Sequence, residues 1–142
     1  MSKRKFQWKK VKPTRGDVLY TKGGTTGIAR AVDFDSDFAV WVHVAVLKLV
    51  KQRVEPVWLQ EVLNSSHCYQ QSQRLTKGIV NRDLGLRQML DISFPLPPLN
   101  VQKTVAARVA EIDELKAHHR SHLAKLDALF ASLQHRAFRG EL

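Results

Sequence analysis

From Leu99 to Arg139 the chain runs without a single proline or glycine. Within that run apolar residues recur at Val105, Val109, Ile112, Leu115, Leu123, Leu126, Phe130, Leu133 and Ala137, in steps of mostly three and four. Such spacing places them on one face of an α-helix. A helix of about 38 residues is about 57 Å long, far beyond the usual globular helix of about 11–12 residues. A helix of that length with an apolar seam is expected to meet a partner along it. Just upstream, Pro95, Pro97 and Pro98 favour extended backbone, and Asn100 reads as the helix N-cap.

The remaining residues suffice for one small domain. Gly16 to Tyr20 reads as a strand, Thr21 to Gly27 as a Gly/Thr loop, and Ile28 to Val32 as a second strand, together a hairpin-like unit. The alternating Asp33, Asp35 and Asp37 form a polar turn. Ala39 to Val50 is nearly continuous in apolar residues and reads as a central strand buried on both faces, with His43 as a core histidine. Pro56 fits the first turn of a helix reaching about Gln71. Thr76 to Arg82 reads as a basic turn entering a short strand. Asp83 to Met89 reads as a helical turn that buries Leu84, Leu86 and Met89, and Asp91 to Leu96 as a last, edge strand. The expected fold is therefore α/β: a mixed β-sheet with short helices, followed by one long amphipathic α-helix.

Charge narrows the function. Lys and Arg number 23 against 13 Asp and Glu, a formal net charge of +10. A polyanionic partner follows, nucleic acid before an anionic membrane surface. The basic residues are spread over both halves rather than along one helix face, which argues against a membrane role. Cys68 stands alone, so neither an intramolecular disulfide nor a cysteine-based zinc module can form, and a reducing, cytoplasmic setting fits. No secretory signal or membrane span is legible. The Gly/Thr loop lacks the Gly-Lys-Ser/Thr ending of a P-loop, and no nucleophile elbow or metalloprotease helix is present. His118 and His122 are spaced i, i+4, but a metal site needs further ligands, so no metal, cofactor or catalytic residue is expected. Lys9, Lys10 and Lys12 form a candidate phosphate-contacting arm. Lys22, Thr25, Arg30, Arg74, Lys77, Asn81 and Arg82 are the candidate DNA contacts of the domain.

Three stretches resemble a known family. Phe94-Pro95-Leu96-Pro97-Pro98-Leu99 followed by Gln102-Lys103 resembles the proline-rich junction of specificity subunits of type I restriction–modification enzymes. Leu126 to Leu142, ending Leu133-Gln134-His135-Arg136-Ala137-Phe138-Arg139-Gly140-Glu141-Leu142, resembles the end of their conserved helix. Gly16-Asp17-Val18-Leu19-Tyr20 with Gly24-Thr25-Thr26-Gly27 resembles a segment of their target-recognition domains.

The resemblance implies a non-catalytic subunit whose recognition domain reads half of a split site in double-stranded DNA. Its long helix would pair antiparallel with a second such helix. That helix would also dock the modification (methyltransferase) subunit and, through it, the restriction subunit. With one such helix, the chain is expected to be a C-terminal fragment: a basic arm over 1–15, a partial recognition domain over 16–98, and the conserved helix over 99–142. A lone chain could then form an antiparallel homodimer through Val105, Val109, Ile112, Leu115, Leu123, Leu126, Phe130 and Leu133. The rival expectation is an interaction protein that dimerises or docks through its helix without specific DNA binding.

Overall fold

A computed structural model describes residues 12–141. The elements run in the order β1 (Val18–Thr21), β2 (Ala29–Ala31), β3 (Val44–Leu47), α1 (Pro56–Asn64), α2 (Ser66–Leu75), α3 (Leu86–Met89) and α4 (Leu99–Phe138). They form two compact units, Met1–Thr104 and Val105–Leu142. The first is mixed α/β, with a three-stranded antiparallel sheet ordered β2-β1-β3. β1 and β2 make the expected hairpin, Val18 facing Ala31 and Tyr20 facing Ala29. On the other side Val18 faces Leu47 and Thr21 faces Val44.

Alternation along β1 and β2 buries Val18, Tyr20, Ala29 and Ala31 on one face, where Trp58, Leu59 and Leu63 of α1 and Leu84 close the core. The outer edge of β2 is covered by α1 as well. The Asn64 amide pairs with both the N–H and the C=O of Ala29, at 2.8 and 2.9 Å, and Gln60 Oε1 accepts from Ala31 N at 2.8 Å. Gln60 and Asn64 are i, i+4 on α1, so one helix face satisfies an edge that would otherwise invite another strand.

Several expectations are corrected. The run Ala39 to Val50 is not a central strand: only Val44–Leu47 pairs, at the sheet edge, and Trp41 and Val42 are exposed. The central strand is β1. His43 is exposed, not core, and its backbone carbonyl accepts from Lys22 N and Gly23 N. The helix predicted to reach Gln71 breaks at Ser65, whose hydroxyl donates to Val62 O at 2.6 Å and caps α2 by accepting from Cys68 N. The competing side-chain bonds of serine make such a break favourable. Among the described residues no strand forms over 76–82 or 91–96. Ser93 gives its N–H and C=O to the Gln71 amide, both at 2.9 Å, which takes the place of a ladder. Leu86 is exposed rather than buried, whereas Leu84 is fully buried. Asn100 lies inside α4. Pro98 takes the cap position, its carbonyl accepting from Val101 N and Gln102 N.

At the start of α4, Gln102 is fully buried. Its Oε1 accepts from Glu55 N at 2.9 Å, and its Nε2 donates to Arg53 O at 2.9 Å and Pro97 O at 2.8 Å. The glutamine of the proline-rich junction thus knits three backbone groups. In the second unit the helix is exposed on nearly all faces, and it ends at Gly140, where Glu141 N reaches Arg136 O and Gly140 N reaches Ala137 O.

Candidate nucleic-acid interface

Two loops far apart in sequence are stitched together at one edge of the first unit. The first joins β1 to β2, residues 22–28; the second runs from Lys77 to Asp83. Leu84 N donates to Lys22 O at 2.7 Å, and Gly24 N donates to Arg82 O at 3.0 Å. Lys22 Nζ meets Asp83 Oδ1 at 2.9 Å. The second loop closes on itself: Lys77 N donates to Asp83 O and Asp83 N to Lys77 O, both at 2.9 Å.

The end of α2 holds both loops from below. Gln73 Nε2 donates to Thr26 O at 3.0 Å, while Gln73 Oε1 accepts from the Arg82 guanidinium. Thr26 and Thr76 share a hydroxyl bond of 2.9 Å. This close approach needs a glycine at position 27: its φ is +86°, and a Cβ there would stand 2.1 Å from Ser72 Oγ.

Of the candidate contacts, Lys22, Thr25, Lys77, Asn81 and Arg82 are brought together on these loops, and Arg74 lies in the last turn of α2 beside Gln73. Thr25, Arg74, Lys77, Asn81 and Arg82 are exposed. The Lys22 charge is offset by Asp83. Arg82 bonds a neutral amide, and Arg82, Lys77 and Arg74 have no ion-pair partner among the described residues. Lys12 and Arg30 are placed otherwise, against the acidic turn: Lys12 to Asp37 at 2.7 Å and Arg30 to Asp33 at 3.5 Å. Lys9 and Lys10 lie outside the described residues.

Asp17, at the foot of β1, is buried and paired with Lys48. Burial pushes its carboxyl up, but Lys48 and the N–H and hydroxyl of Thr14 together hold it below the usual value. Tyr20 is buried, its hydroxyl makes no hydrogen bond of good geometry among the described residues, and burial pushes its pKa up against a smaller downward pull from the Ser72 hydroxyl.

Sequence reading missed Asp83, which offsets Lys22 and closes the second loop, and Gln73, which ties both loops to α2. No local signal links positions 22 and 83. Ile79 and Val80, within the segment that reads from sequence as a basic turn entering a short strand, stand at the tip of the second loop, 97% and 91% exposed.

The seam residues of α4 are exposed at Val105, Ile112, Leu115, Leu123, Leu126, Phe130 and Leu133, and Val109 is half-buried. Arg108–Glu111 and Lys116–Asp113 pairs lie along the helix, and His118 Nε2 is 3.8 Å from Glu114 Oε1. Among the described residues no group of three or more His, Cys, Asp or Glu could hold a metal ion, and no helix is long and apolar enough to cross a membrane.

A family model described as type I restriction modification DNA specificity domain matches residues 4–127. The type I restriction enzyme EcoBI specificity subunit of Escherichia coli is 26% identical over 141 residues, which cover 96% of this chain and 30% of that protein.

Proposed function

We propose, because the chain belongs to the family of type I restriction modification DNA specificity domains, that it is a non-catalytic module that binds duplex DNA through its two stitched loops. The observation that carries this reading is the convergence of Lys22, Thr25, Lys77, Asn81 and Arg82, with Arg74 beside them, on one edge of the first unit. Lysine and arginine supply phosphate contacts, and threonine and asparagine can read base edges. Their positions on a hydrogen-bonded scaffold limit the ordering cost of binding.

Binding of the full chain to mixed-sequence duplexes, followed between about 50 and 200 mM salt, tests it. Affinity should fall steeply with salt, and Lys77→Ala and Arg82→Ala should each lower the salt slope by about 1. No binding at the low-salt end overturns the reading.

The exposed seam of α4 favours a second role, docking. We propose that Val105, Ile112, Leu115, Leu123, Leu126, Phe130 and Leu133 meet either the same helix of a second chain, antiparallel, or a modification subunit. Such contacts would bury apolar area now left in water. Sedimentation at micromolar concentration, alone and with a modification subunit, should show an assembly that Leu126→Glu with Phe130→Glu dissolves. A monomer under both conditions excludes this role. Assembly without any DNA binding would leave the chain as an interaction protein only.

A further inference from the structure

The geometry points to the Lys77–Asp83 loop as a finger whose apolar tip, Ile79 and Val80, packs against the bases of duplex DNA while Lys77 and Arg82 hold the flanking phosphates. This rests on the DNA-binding reading above. Ile79 and Val80 are 97% and 91% exposed, neighbours in sequence, and set between cationic side chains.

The loop is built to present them. Its base is closed by the reciprocal Lys77–Asp83 backbone bonds, and Arg82 is anchored from its carbonyl to Gly24 N and from its guanidinium to Gln73. Gly78 has φ +86°, and a Cβ there would lie 2.3 Å from Asn81 O, so the turn is tight as well as left-handed. Both tip residues are β-branched and stiff at χ1, so fixing them on binding costs little side-chain entropy.

Charge complementarity selects the partner: a tip flanked in the chain by Lys77 and Arg82, the latter bonded to Gln73 next to Arg74, fits a polyanion. An apolar tip between phosphate contacts fits thymine methyl groups or a partly unstacked base step.

The test measures the full chain against a panel of short duplexes of different sequence across salt. Ile79→Ser with Val80→Ser should weaken the best-bound duplex about 10- to 30-fold, narrow the spread of affinities across the panel, and leave the salt slope unchanged. Lys77→Ala should weaken all duplexes alike and lower the slope by about 1. The nearly isosteric Val80→Thr should give a smaller loss of the first kind with an unchanged melting curve, which separates contact from folding.

Wild-type affinity in the double variant, or loss through the salt slope alone, overturns the finger while leaving the DNA-binding reading intact. Intact DNA binding with loss of assembly in sedimentation assigns the tip to a protein contact and also overturns it. Absence of binding by the unmodified chain at low salt overturns both.

Discussion

Replacing Gln102 with leucine should be among the most costly single changes in the first unit. The side chain is fully buried, and its amide serves Glu55 N, Arg53 O and Pro97 O at 2.8 to 2.9 Å. Leucine fills similar space but offers none of these bonds. At about 1 kcal/mol net per bond, the loss is about 3 kcal/mol, a large share of the 5–15 kcal/mol typical of a domain. For a unit of this size that lowers Tm by roughly 10 °C or more. Gln102→Glu separates shape from bonding. A carboxylate can still accept from Glu55 N but has no proton for the two carbonyls. Burial raises its pKa above the ordinary glutamate value of about 4.3. The neutral acid is then the form favoured in the folded state, so this variant should regain stability as pH falls through its folded pKa. Asn100→Ala is the control. Asn100 lies within α4, not at its cap, so its loss should cost under about 0.5 kcal/mol rather than the roughly 1 kcal/mol of a lost N-cap. Urea and thermal denaturation followed by circular dichroism measure all three. A Gln102→Leu variant within about 0.5 kcal/mol of the unmodified chain would refute the account.

Three further outcomes follow from buried or strained positions. Asp17→Asn should destabilise the chain at neutral pH. Because the Asp17 carboxyl is held below the ordinary aspartate range, its contribution is complete above that range and is lost as pH falls through the folded value. The difference between the two chains should therefore shrink in acid, and a constant gap down to pH about 2 contradicts the pairing with Lys48. Tyr20→Phe removes a buried hydroxyl that makes no hydrogen bond of good geometry among the described residues and should leave the melting temperature unchanged or raised; a drop of several degrees would reveal a bond that the hydroxyl makes to Ser72. Gly78→Ala should cost about 1 kcal/mol or more locally, since both φ and the Asn81 carbonyl oppose a Cβ. Its DNA affinity should fall with it, and wild-type binding would show that the shape of the loop is immaterial.

The long helix was legible because its signal is local and repeated. An unbroken run with apolar residues at helical spacing gives one periodicity, and Leu99–Phe138 follows it. The β1–β2 hairpin and the proline at the start of α1 were readable for the same reason, as strand pattern and turn chemistry lie within a few residues of each other. The run from Ala39 to Val50 misled because continuous apolarity does not reveal how many neighbours a strand has. Here the ladder spans Val44–Leu47 with β1 alone, and Trp41 and Val42 fall outside it. The segment from Asp91 to Leu96 misled in another way: Ile92 and Phe94 do pack on the core, but the Gln71 side chain satisfies Ser93 where a strand was expected.

The long helix, the basic balance, the mixed α/β class and the family resemblance are all legible along the chain. Each rests on composition, on short-range spacing, or on stretches of residues read together. Long-range packing makes β1 the central strand, has Gln102 knit the 53–55 turn to the junction, and brings residues 22–28 to residues 77–83. Those outcomes turn on pairings between positions far apart in the chain, such as Thr21 with Val44, Glu55 with Gln102, and Lys22 with Leu84. Pairing at such separations depends on which elements the shared core brings together, and no local period in the chain encodes it.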